Sequence, residues 1–267
     1  MLLAIDIGNT STTVGVFDGE KLIVSWRIAS DIKRSEDEYG IVLKNLIKDS
    51  DLLSCVTEGI ISSVVIQLTE KFQLALEKYL GIKAINVSHK INTGIEVLTD
   101  NPSEVGADRI CNACAAAKLY KAPVIVVDFG TATSFDIVNS KKQFIGGVIT
   151  AGMKIQAAAL SEFTSKLPKL KIEAPKEAIG RNTIDAMLSG IVRGHAAMID
   201  GLLEECQKEL DEKAVIVATG GYSPIISKYM KREFDYINRD LTLIGLKLIY
   251  DLNTRKPSET KGLELQY

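Results

Sequence analysis

The sequence predicts an α/β protein made of two similar lobes, each with a mixed sheet flanked by helices. Short apolar runs typical of strands alternate with longer amphipathic segments typical of helices, which is the pattern of this class. One segment containing Asp-x-Gly also occurs twice, near the start and near the middle of the chain. At 267 residues with 46% hydrophobic content, the chain can bury one large core or two cores of ordinary size.

The first half begins with a series of strands. The pair Asp18-Gly19 separates two apolar runs and predicts a hairpin turn, because such pairs favour tight turns. Predicted strands cover residues 2–7, 14–17, 22–28, 59–64 and 84–87, and predicted helices cover residues 36–47 and 69–79.

The second half contains the longest predicted helix, from about residue 184 to residue 210, where apolar residues recur at helical spacing. His195 falls on this apolar stripe, and a packed or interface histidine is favoured over a catalytic one. Further strands are predicted over residues 135–138, 144–149 and 215–218, and a closing helix over residues 241–252.

The repeated segment is the strongest sign of domain organisation. Residues 3–14 can be laid over residues 125–136 without a gap, so that Asp6 matches Asp128 and Gly8 matches Gly130. In both copies an apolar strand ends in Asp-x-Gly, and a Thr/Ser-rich turn and a second strand follow. Copies this far apart predict two facing lobes rather than a short-period repeat. We expect lobes over residues 1–117 and 118–253, and a disordered tail over residues 254–267.

Composition excludes several classes of function. The formal net charge is -2 and no long run of one sign occurs, so neither a nucleic acid nor a membrane surface is an expected partner. No apolar stretch approaches the roughly 20 residues of a membrane span, and the start lacks the pattern of a signal peptide. The four cysteines do not form a secreted disulfide framework, and Cys111-x-x-Cys114 is expected to supply buried free thiols. A soluble, cytoplasmic protein is predicted.

The repeated turns suit phosphate chemistry. Gly8 lets the backbone approach a phosphate closely, and the amides and hydroxyls of residues 9–13 can donate hydrogen bonds to it. Asp6 would act by holding a hydrated Mg²⁺. A single Asp-x-Gly is more often an ordinary turn. Two such turns facing one cleft, together with the glycine turn at Thr219-Gly220-Gly221, favour nucleotide binding without a Walker P-loop.

Asp108 is the best candidate for a group that accepts a proton from the acceptor hydroxyl. It follows a glycine at a predicted helix start beside Arg109, whose guanidinium could hold an anionic substrate. A surface Asp-Arg pair is the alternative. Asn182 or Thr183 is expected to cap the long helix, with Asp185 in its first turn.

Five segments in this order and spacing resemble the type III pantothenate kinases, and the resemblance covers nearly the whole chain to about Asn253. The segments are Asp6-Ile7-Gly8-Asn9-Thr10, Asp100 to Arg109, Asp128 to Thr133, Gly180-Arg181-Asn182-Thr183 and Ala218-Thr219-Gly220-Gly221.

The resemblance implies duplicated ribonuclease-H-like lobes of the actin-like ATPase kind, with five-stranded sheets. It implies phosphorylation of pantothenate by ATP, with Mg²⁺ and a monovalent cation (K⁺ or NH₄⁺), in a homodimer whose substrate site lies near the interface. Asp108 would be the base, Asp128 the ligand of the monovalent cation, and Asp6 the ligand of Mg²⁺ through water. ATP would contact Asp6, Ile7, Gly8, Asn9, Thr10, Ser11, Thr12, Thr13, Thr131, Gly220 and Gly221, and pantothenate would contact Thr99, Gly106, Ala107, Asp108, Arg109 and Thr183.

Two positions depart from the pattern of the family. Thr99 stands where many members have a substrate-contacting Tyr, and Ala151-Gly152 stands where Pro-Gly is frequent. The apolar face of the long helix offers a surface for the dimer. Two alternatives stay open: a sugar or acetate-type kinase, which Arg109 beside the base disfavours, and a non-catalytic regulator, which the presence of both Asp108 and Asp128 disfavours.

Overall fold

A computed structural model describes residues 1–254. The predicted disordered tail lies outside these residues, apart from Thr254, which ends the last helix. Within the described residues, no helix is both long and apolar enough to cross a membrane.

Strands and helices alternate along most of the chain, which confirms the predicted α/β class. The strands are β1 (Leu2–Ile7), β2 (Ser11–Asp18), β3 (Lys21–Ala29), β4 (Glu58–Ser63), β5 (Ile85–Asn86), β6 (Glu96–Val97), β7 (Val124–Phe129), β8 (Ala132–Val138), β9 (Gln143–Ala151), β10 (Val215–Thr219) and β11 (Tyr236–Ile237). The helices are α1 (Glu36–Asp49), α2 (Ile66–Leu80), α3 (Ala107–Leu119), α4 (Met153–Glu162), α5 (Thr183–Leu188), α6 (Gly194–Lys208), α7 (Ser223–Ile226) and α8 (Leu241–Thr254).

Contacts between Cα atoms group the chain into two compact units. The first comprises Met1–Glu96, Asp100–Ala115 and the described chain from Thr242 to Thr254. The second comprises Val97–Thr99 and Ala116–Leu241. The last helix therefore belongs with the first unit.

The first unit is built on a mixed sheet. Its strand order in the described residues is β3-β2-β1-β4-β5. The central strand β1 runs antiparallel to β2 and parallel to β4, and its residues other than Asp6 are apolar and buried, as expected where both faces of a sheet are covered. Helix α1 begins with a capping box, in which Ser35 and Glu38 exchange hydrogen bonds.

The second unit repeats this arrangement with a longer sheet. The strand order in the described residues is β11-β10-β7-β8-β9-β6, where β7 runs antiparallel to β8 and parallel to β10. The expected five-stranded sheet thus has six strands here, and the two edge strands β6 and β11 are two residues long. Strands this short leave no periodic signal in a sequence.

The long helix predicted over residues 184–210 is present as a helical run from Thr183 to Lys208. A π-helical segment, Ser189–Arg193, interrupts it between α5 and α6. Its apolar stripe packs into the core of the second unit, where Ile191, Val192 and Ile199 are buried. Most of the stripe is therefore used inside the unit rather than on a dimer surface as expected, although Ile184 is exposed and Met187 and Ile191 line a groove.

Candidate active site

The first Asp-x-Gly segment forms the turn between β1 and β2. Ile7 pairs with Thr12 across the hairpin, and the Gly8 amide donates to the Ser11 carbonyl over 3.2 Å. A Cβ atom at Gly8 would lie 3.1 Å from that carbonyl oxygen, so the tight turn favours glycine. Asn9 and Thr10 at the tip are exposed. The tip thus presents polar side chains and backbone to solvent, as phosphate binding requires.

Asp6 lies at the carboxyl end of β1, where Ser62 fixes its orientation. Ser62 Oγ donates a hydrogen bond of 2.9 Å to Asp6 Oδ1. Ser62 is buried on β4, directly opposite Asp6 in the parallel register. Sequence reasoning missed Ser62, and the one signal is a pair of serines at the end of a short apolar strand. Their alignment with Asp6 depends on strand pairing.

Asp108 is the second residue of α3, and its Oδ1 accepts a hydrogen bond of 2.8 Å from the Arg109 amide. Burial raises the pKa of the Asp108 carboxyl group. The hydrogen bond from the Arg109 amide and the positive charge of the Arg109 guanidinium oppose this rise. A Cβ atom at Gly106 would lie 2.5 Å from Asp108 Oδ1, so a larger residue there would displace the carboxylate. A carboxylate with a raised pKa is a better proton acceptor.

Cys111 lies one helical turn after Asp108 and is buried. Burial raises the pKa of its thiol well above the ordinary value, and the nearby charges of Asp6 and Asp108 add to the rise. Ser62, which donates to Asp6, also hydrogen-bonds the Cys111 side chain, so the Asp6 turn and the first turns of α3 adjoin within the first unit. Cys114 is buried as well, and both cysteines are free thiols, as predicted.

The second Asp-x-Gly segment forms the turn between β7 and β8 and is held by two glycines. Gly220, with φ of +83°, lies so close that a Cβ atom there would be 2.6 Å from Asp128 Oδ1. The Gly152 amide donates to the Thr131 carbonyl over 3.2 Å, and a Cβ atom at Gly152 would collide with that oxygen. The second unit therefore brings Asp128, Thr131 and the Gly220 turn together.

The two hairpins differ in length, which corrects the gapless overlay of the two copies. Ile7–Thr12 closes the first turn around residues 8–11, whereas Phe129–Thr133 closes the second around residues 130–132. Thr12 is therefore structurally equivalent to Thr133 and not to Ser134. Both threonines are buried and held from outside the hairpin: Thr12 Oγ1 lies 2.9 Å from Ser30 Oγ, and Thr133 Oγ1 lies 2.9 Å from His195 Nε2.

The other candidate residues differ in how they are placed. Asn182 caps α5 by accepting from the Asp185 amide over 2.9 Å, as predicted, and Thr183 is exposed at the first position of that helix. Thr99 Oγ1 is buried without a hydrogen-bond partner in the described part of the chain. The unpaired Thr99 hydroxyl suits a ligand contact, since a buried hydroxyl is costly when unsatisfied. Gly221 follows Gly220 in the turn between β10 and α7.

The carboxylates of Asp6 and Asp128 are the candidate metal ligands. Among residues 1–254 no group of three or more His, Cys, Asp or Glu side chains could hold a metal ion. Mg²⁺ in phosphate-transfer sites needs only one or two carboxylates, because it keeps several waters and binds the substrate phosphates. A single carboxylate at the end of β1 is compatible with such an ion.

A family model described as type III pantothenate kinase matches residues 2–205. The chain belongs to the type III pantothenate kinase family. A type III pantothenate kinase from Dehalococcoides mccartyi (strain CBDB1) is 43% identical over 253 residues, 94% of this chain and 96% of the relative. Another, from Finegoldia magna, is 44% identical over 257 residues, 95% of this chain and 98% of the relative. The resemblance seen in the sequence is thereby confirmed, and the chain is a kinase.

Solved structures agree with the fold at low sequence identity. A Sinorhizobium meliloti protein described as a 2-dehydro-3-deoxygalactonokinase superposes with a TM-score of 0.58 at 12% identity, covering 94% of this chain and 98% of that chain. The predicted actin-like ATPase fold, with two mixed sheets flanked by helices, is confirmed by this likeness, which concerns the fold alone.

Proposed function

We propose that the chain transfers the γ-phosphoryl group of ATP to the 4′-hydroxyl of pantothenate, the first step towards coenzyme A, with Asp108 as general base. The observation that carries the proposed roles is the setting of Asp108. Its carboxyl group is desolvated at the start of α3 beside Arg109. It lies one helical turn before Cys111, whose side chain hydrogen-bonds Ser62, the residue that holds Asp6. Family membership supplies the reaction, and this cluster supplies the groups that the reaction needs.

In the proposed step, Asp108 takes the proton of the pantothenate hydroxyl while the hydroxyl oxygen bonds to the γ-phosphorus. The bond from the γ-phosphorus to the bridging oxygen breaks, and ADP leaves. Arg109 pairs with the carboxylate of pantothenate through charge-assisted hydrogen bonds. The backbone of Gly106 and Ala107, together with Thr183, completes the substrate contacts, and the unpaired Thr99 hydroxyl is a further candidate donor.

Residues 6–13 and Thr131 are proposed to bind the phosphates of ATP. The support is that both turns end buried strands and have glycines where a backbone or carboxylate approaches closely. Gly220 and Gly221 are proposed to pass beside the adenine ring. Asp6 would hold Mg²⁺ through water, and the ion when bound neutralises charge on the phosphates.

Asp128 is proposed to bind an activating K⁺ or NH₄⁺. Its carboxylate lies at the end of β7, beside the Gly220 turn and the backbone of its own hairpin. A carboxylate accompanied by nearby carbonyl groups supplies the oxygen ligands that a monovalent cation prefers.

A homodimer is proposed from an apolar groove on the second unit. The groove has a volume of about 540 Å³ and lies between α4 and the helical run after Thr183, with Leu160, Phe163 and Met187 in its lining. Phe163 is 83% exposed, which is unusual for a phenylalanine unless a partner covers it. A second copy is the proposed occupant. A cytoplasmic location is also proposed, since free thiols persist in a reducing compartment.

A panel of acceptors tests the proposed reaction. Purified protein is incubated with ATP, Mg²⁺ and K⁺ and with pantothenate, a hexose, N-acetylhexosamine or acetate, and ADP release is measured. We expect ADP release with pantothenate and with no other acceptor. Release with a sugar or acetate instead would show that this compound is the acceptor. No release with any acceptor would favour a binding protein.

A further inference from the structure

His195 is buried at the second position of α6, and both of its ring nitrogens are hydrogen bonded. Nε2 lies 2.9 Å from Thr133 Oγ1, and Nδ1 lies 2.9 Å from Gln156 Nε2. These three side chains come from β8, α4 and α6, and all belong to the second unit.

The bonds of Gln156 fix the direction of this chain. Gln156 Nε2 also donates to the Ala151 carbonyl over 2.9 Å, and a carbonyl oxygen can only accept. The amide nitrogen therefore faces both neighbours, and His195 Nδ1 must accept from it. Burial lowers the pKa of His195 to about 4, so the ring is neutral and its one proton is on Nε2. His195 thus donates to Thr133.

The donated bond reaches the base of the second Asp-x-Gly turn. Thr133 and Phe129 form the pair that closes the hairpin. His195 contacts both members: it donates to Thr133, and its ring packs edge-on against the Phe129 ring at a centroid distance of 6.2 Å. Asp128 immediately precedes Phe129, so displacement of this pair would displace the candidate cation ligand.

The same turn is anchored a second time through α4. The Gly152 amide at the start of that helix donates to the Thr131 carbonyl, and Gln156 one turn later supports His195. Two helices therefore hold one short turn through directed hydrogen bonds. A packing role alone would not need the imidazole, because burying a polar ring is costly unless its nitrogens are satisfied.

We propose that His195 is a positioning residue for the second Asp-x-Gly turn, acting through Thr133 and oriented by Gln156. The proposal rests on the proposed role of that turn in binding the phosphates of ATP. No contact between His195 and a substrate is involved.

Two substitutions of His195 separate positioning from packing. His195→Leu removes the donor, whereas His195→Gln keeps an amide N–H near the place of Nε2. We expect His195→Leu to weaken ATP binding about tenfold, the cost of one lost hydrogen bond at a buried hydroxyl, and His195→Gln to restore most of it. KM for pantothenate should change less than twofold in both variants. The matched control is Ile199→Val, a core change one turn further along α6, which should leave ATP affinity unchanged.

A double-mutant cycle tests whether the effect passes through Thr133. If it does, Thr133→Val should weaken ATP binding as much as His195→Leu, the double variant should lose no more than either single one, and Thr133→Ser should bind normally. Additive losses would overturn the proposal. Unchanged ATP affinity in a folded His195→Leu variant would also overturn it, as would equal rises in KM for ATP and KM for pantothenate. If His195→Leu does not fold, the Thr133 pair decides by itself.

ATP affinity is measured by equilibrium dialysis without pantothenate. The result is therefore independent of the acceptor. The positioning role of His195 can be disproved in an enzyme that phosphorylates pantothenate, and it can be supported even if the acceptor is another compound.

Discussion

At the scale of single residues, replacing the Asp108 carboxylate by an amide tests the proposed base with little change in shape. Asp108→Asn should lower kcat by about 10²- to 10⁴-fold and leave ATP affinity nearly intact. Asn Oδ1 can still accept from the Arg109 amide, so the start of α3 should be preserved. The exposed Asp49→Asn, at the end of α1, is the control. Unchanged turnover in Asp108→Asn would remove this residue from the role.

The raised pKa of Asp108 predicts the sign of the pH dependence. The deprotonated form is the base, so activity is present above the pKa of this group and is lost as the pH falls through it. Since burial raises that pKa, the loss should begin at a higher pH than for an ordinary aspartate. A pH profile of kcat/KM for wild type measures this directly.

His195 makes a separate prediction about stability. Its pKa is lowered from 6.5 to about 4 by burial, so the unfolded state binds the proton more readily than the folded state. Stability from this group is complete above pH 6.5 and is lost as the pH falls towards 4. Relative to His195→Gln, wild type should lose about 2 kcal/mol of unfolding free energy between pH 7.5 and pH 5. Urea unfolding at both pH values measures it, and parallel changes in the two proteins would contradict it.

Asp128→Ala addresses the monovalent cation. The variant should lose any stimulation by K⁺ relative to Na⁺, because the carboxylate at the end of β7 is the proposed ligand. Rates in K⁺ and Na⁺ at equal ionic strength are the measurement, with wild type as the reference. Retained stimulation would place the cation at other residues.

Residues in recognisable local patterns could be predicted, and residues that act through distant contacts could not. Asp6, Gly8 and Asp108 stand out because an acid beside a glycine at a strand end or helix start has a local meaning. Ser62 and Gly152 have no such local meaning, since the first meets Asp6 through strand pairing and the second meets Thr131 just beyond the paired ends of β8 and β9. Their roles require the fold to be known.

At the scale of elements, the two hairpins show why a repeat in sequence overstates structural identity. The overlay is correct up to Gly8 and Gly130, because buried strands fix the register before the turn. After the glycine, the turn around residues 8–11 holds one residue more than the turn around residues 130–132. Turn residues face solvent and tolerate such a difference, so the sequence alone could not show that Thr12 is structurally equivalent to Thr133.

Gly220→Ala tests how closely the Gly220 turn packs on the second hairpin. A Cβ atom would lie 2.6 Å from Asp128 Oδ1 and 2.7 Å from Phe129 backbone atoms, and the φ of +83° disfavours any other residue. KM for ATP should rise about tenfold or more, and stimulation by K⁺ should weaken. Gly201→Ala on α6 is the control, since nothing lies within 4 Å of its Cβ position. Equal kinetics in the two variants would contradict this packing.

The long helix was predicted as one element, but its π-helical segment was not. Met187, Ile191, His195, Ile199 and Leu203 follow one another in steps of four. In an α-helix four residues turn about 400°, so such a stripe drifts around the axis. The wider turn at Ser189–Arg193 rotates less per residue and offsets part of that drift. Repeated steps of four were therefore a signal, although periodicity alone also allows a slowly winding stripe.

At the scale of the whole molecule, fold class and family were predictable because several weak signals agreed. Each Asp-x-Gly turn is by itself an ordinary feature, but two copies flanked by alternating strands and helices leave few architectures. Assembly was less predictable. Most of the apolar stripe that was expected to bind a second copy packs in the core of its own unit. The exposed apolar groove next to it is lined partly by α4, a helix without a strong apolar periodicity in its sequence.

The proposed homodimer can be tested at that groove. Phe163→Glu places a charge where an isologous interface would bring the groove against its copy, and the same charge would be introduced on both subunits. Dimer affinity should fall by at least about 30-fold, as for loss of a central aromatic contact. Ile179→Glu is the matched control, because Ile179 is also 83% exposed and does not line the groove. Sedimentation velocity over a range of concentrations measures the effect. Since the substrate site is proposed to lie near the interface, Phe163→Glu should also raise KM for pantothenate in parallel with dissociation. A monomeric wild type, or a dimer equally stable in both variants, would show that the groove has another occupant.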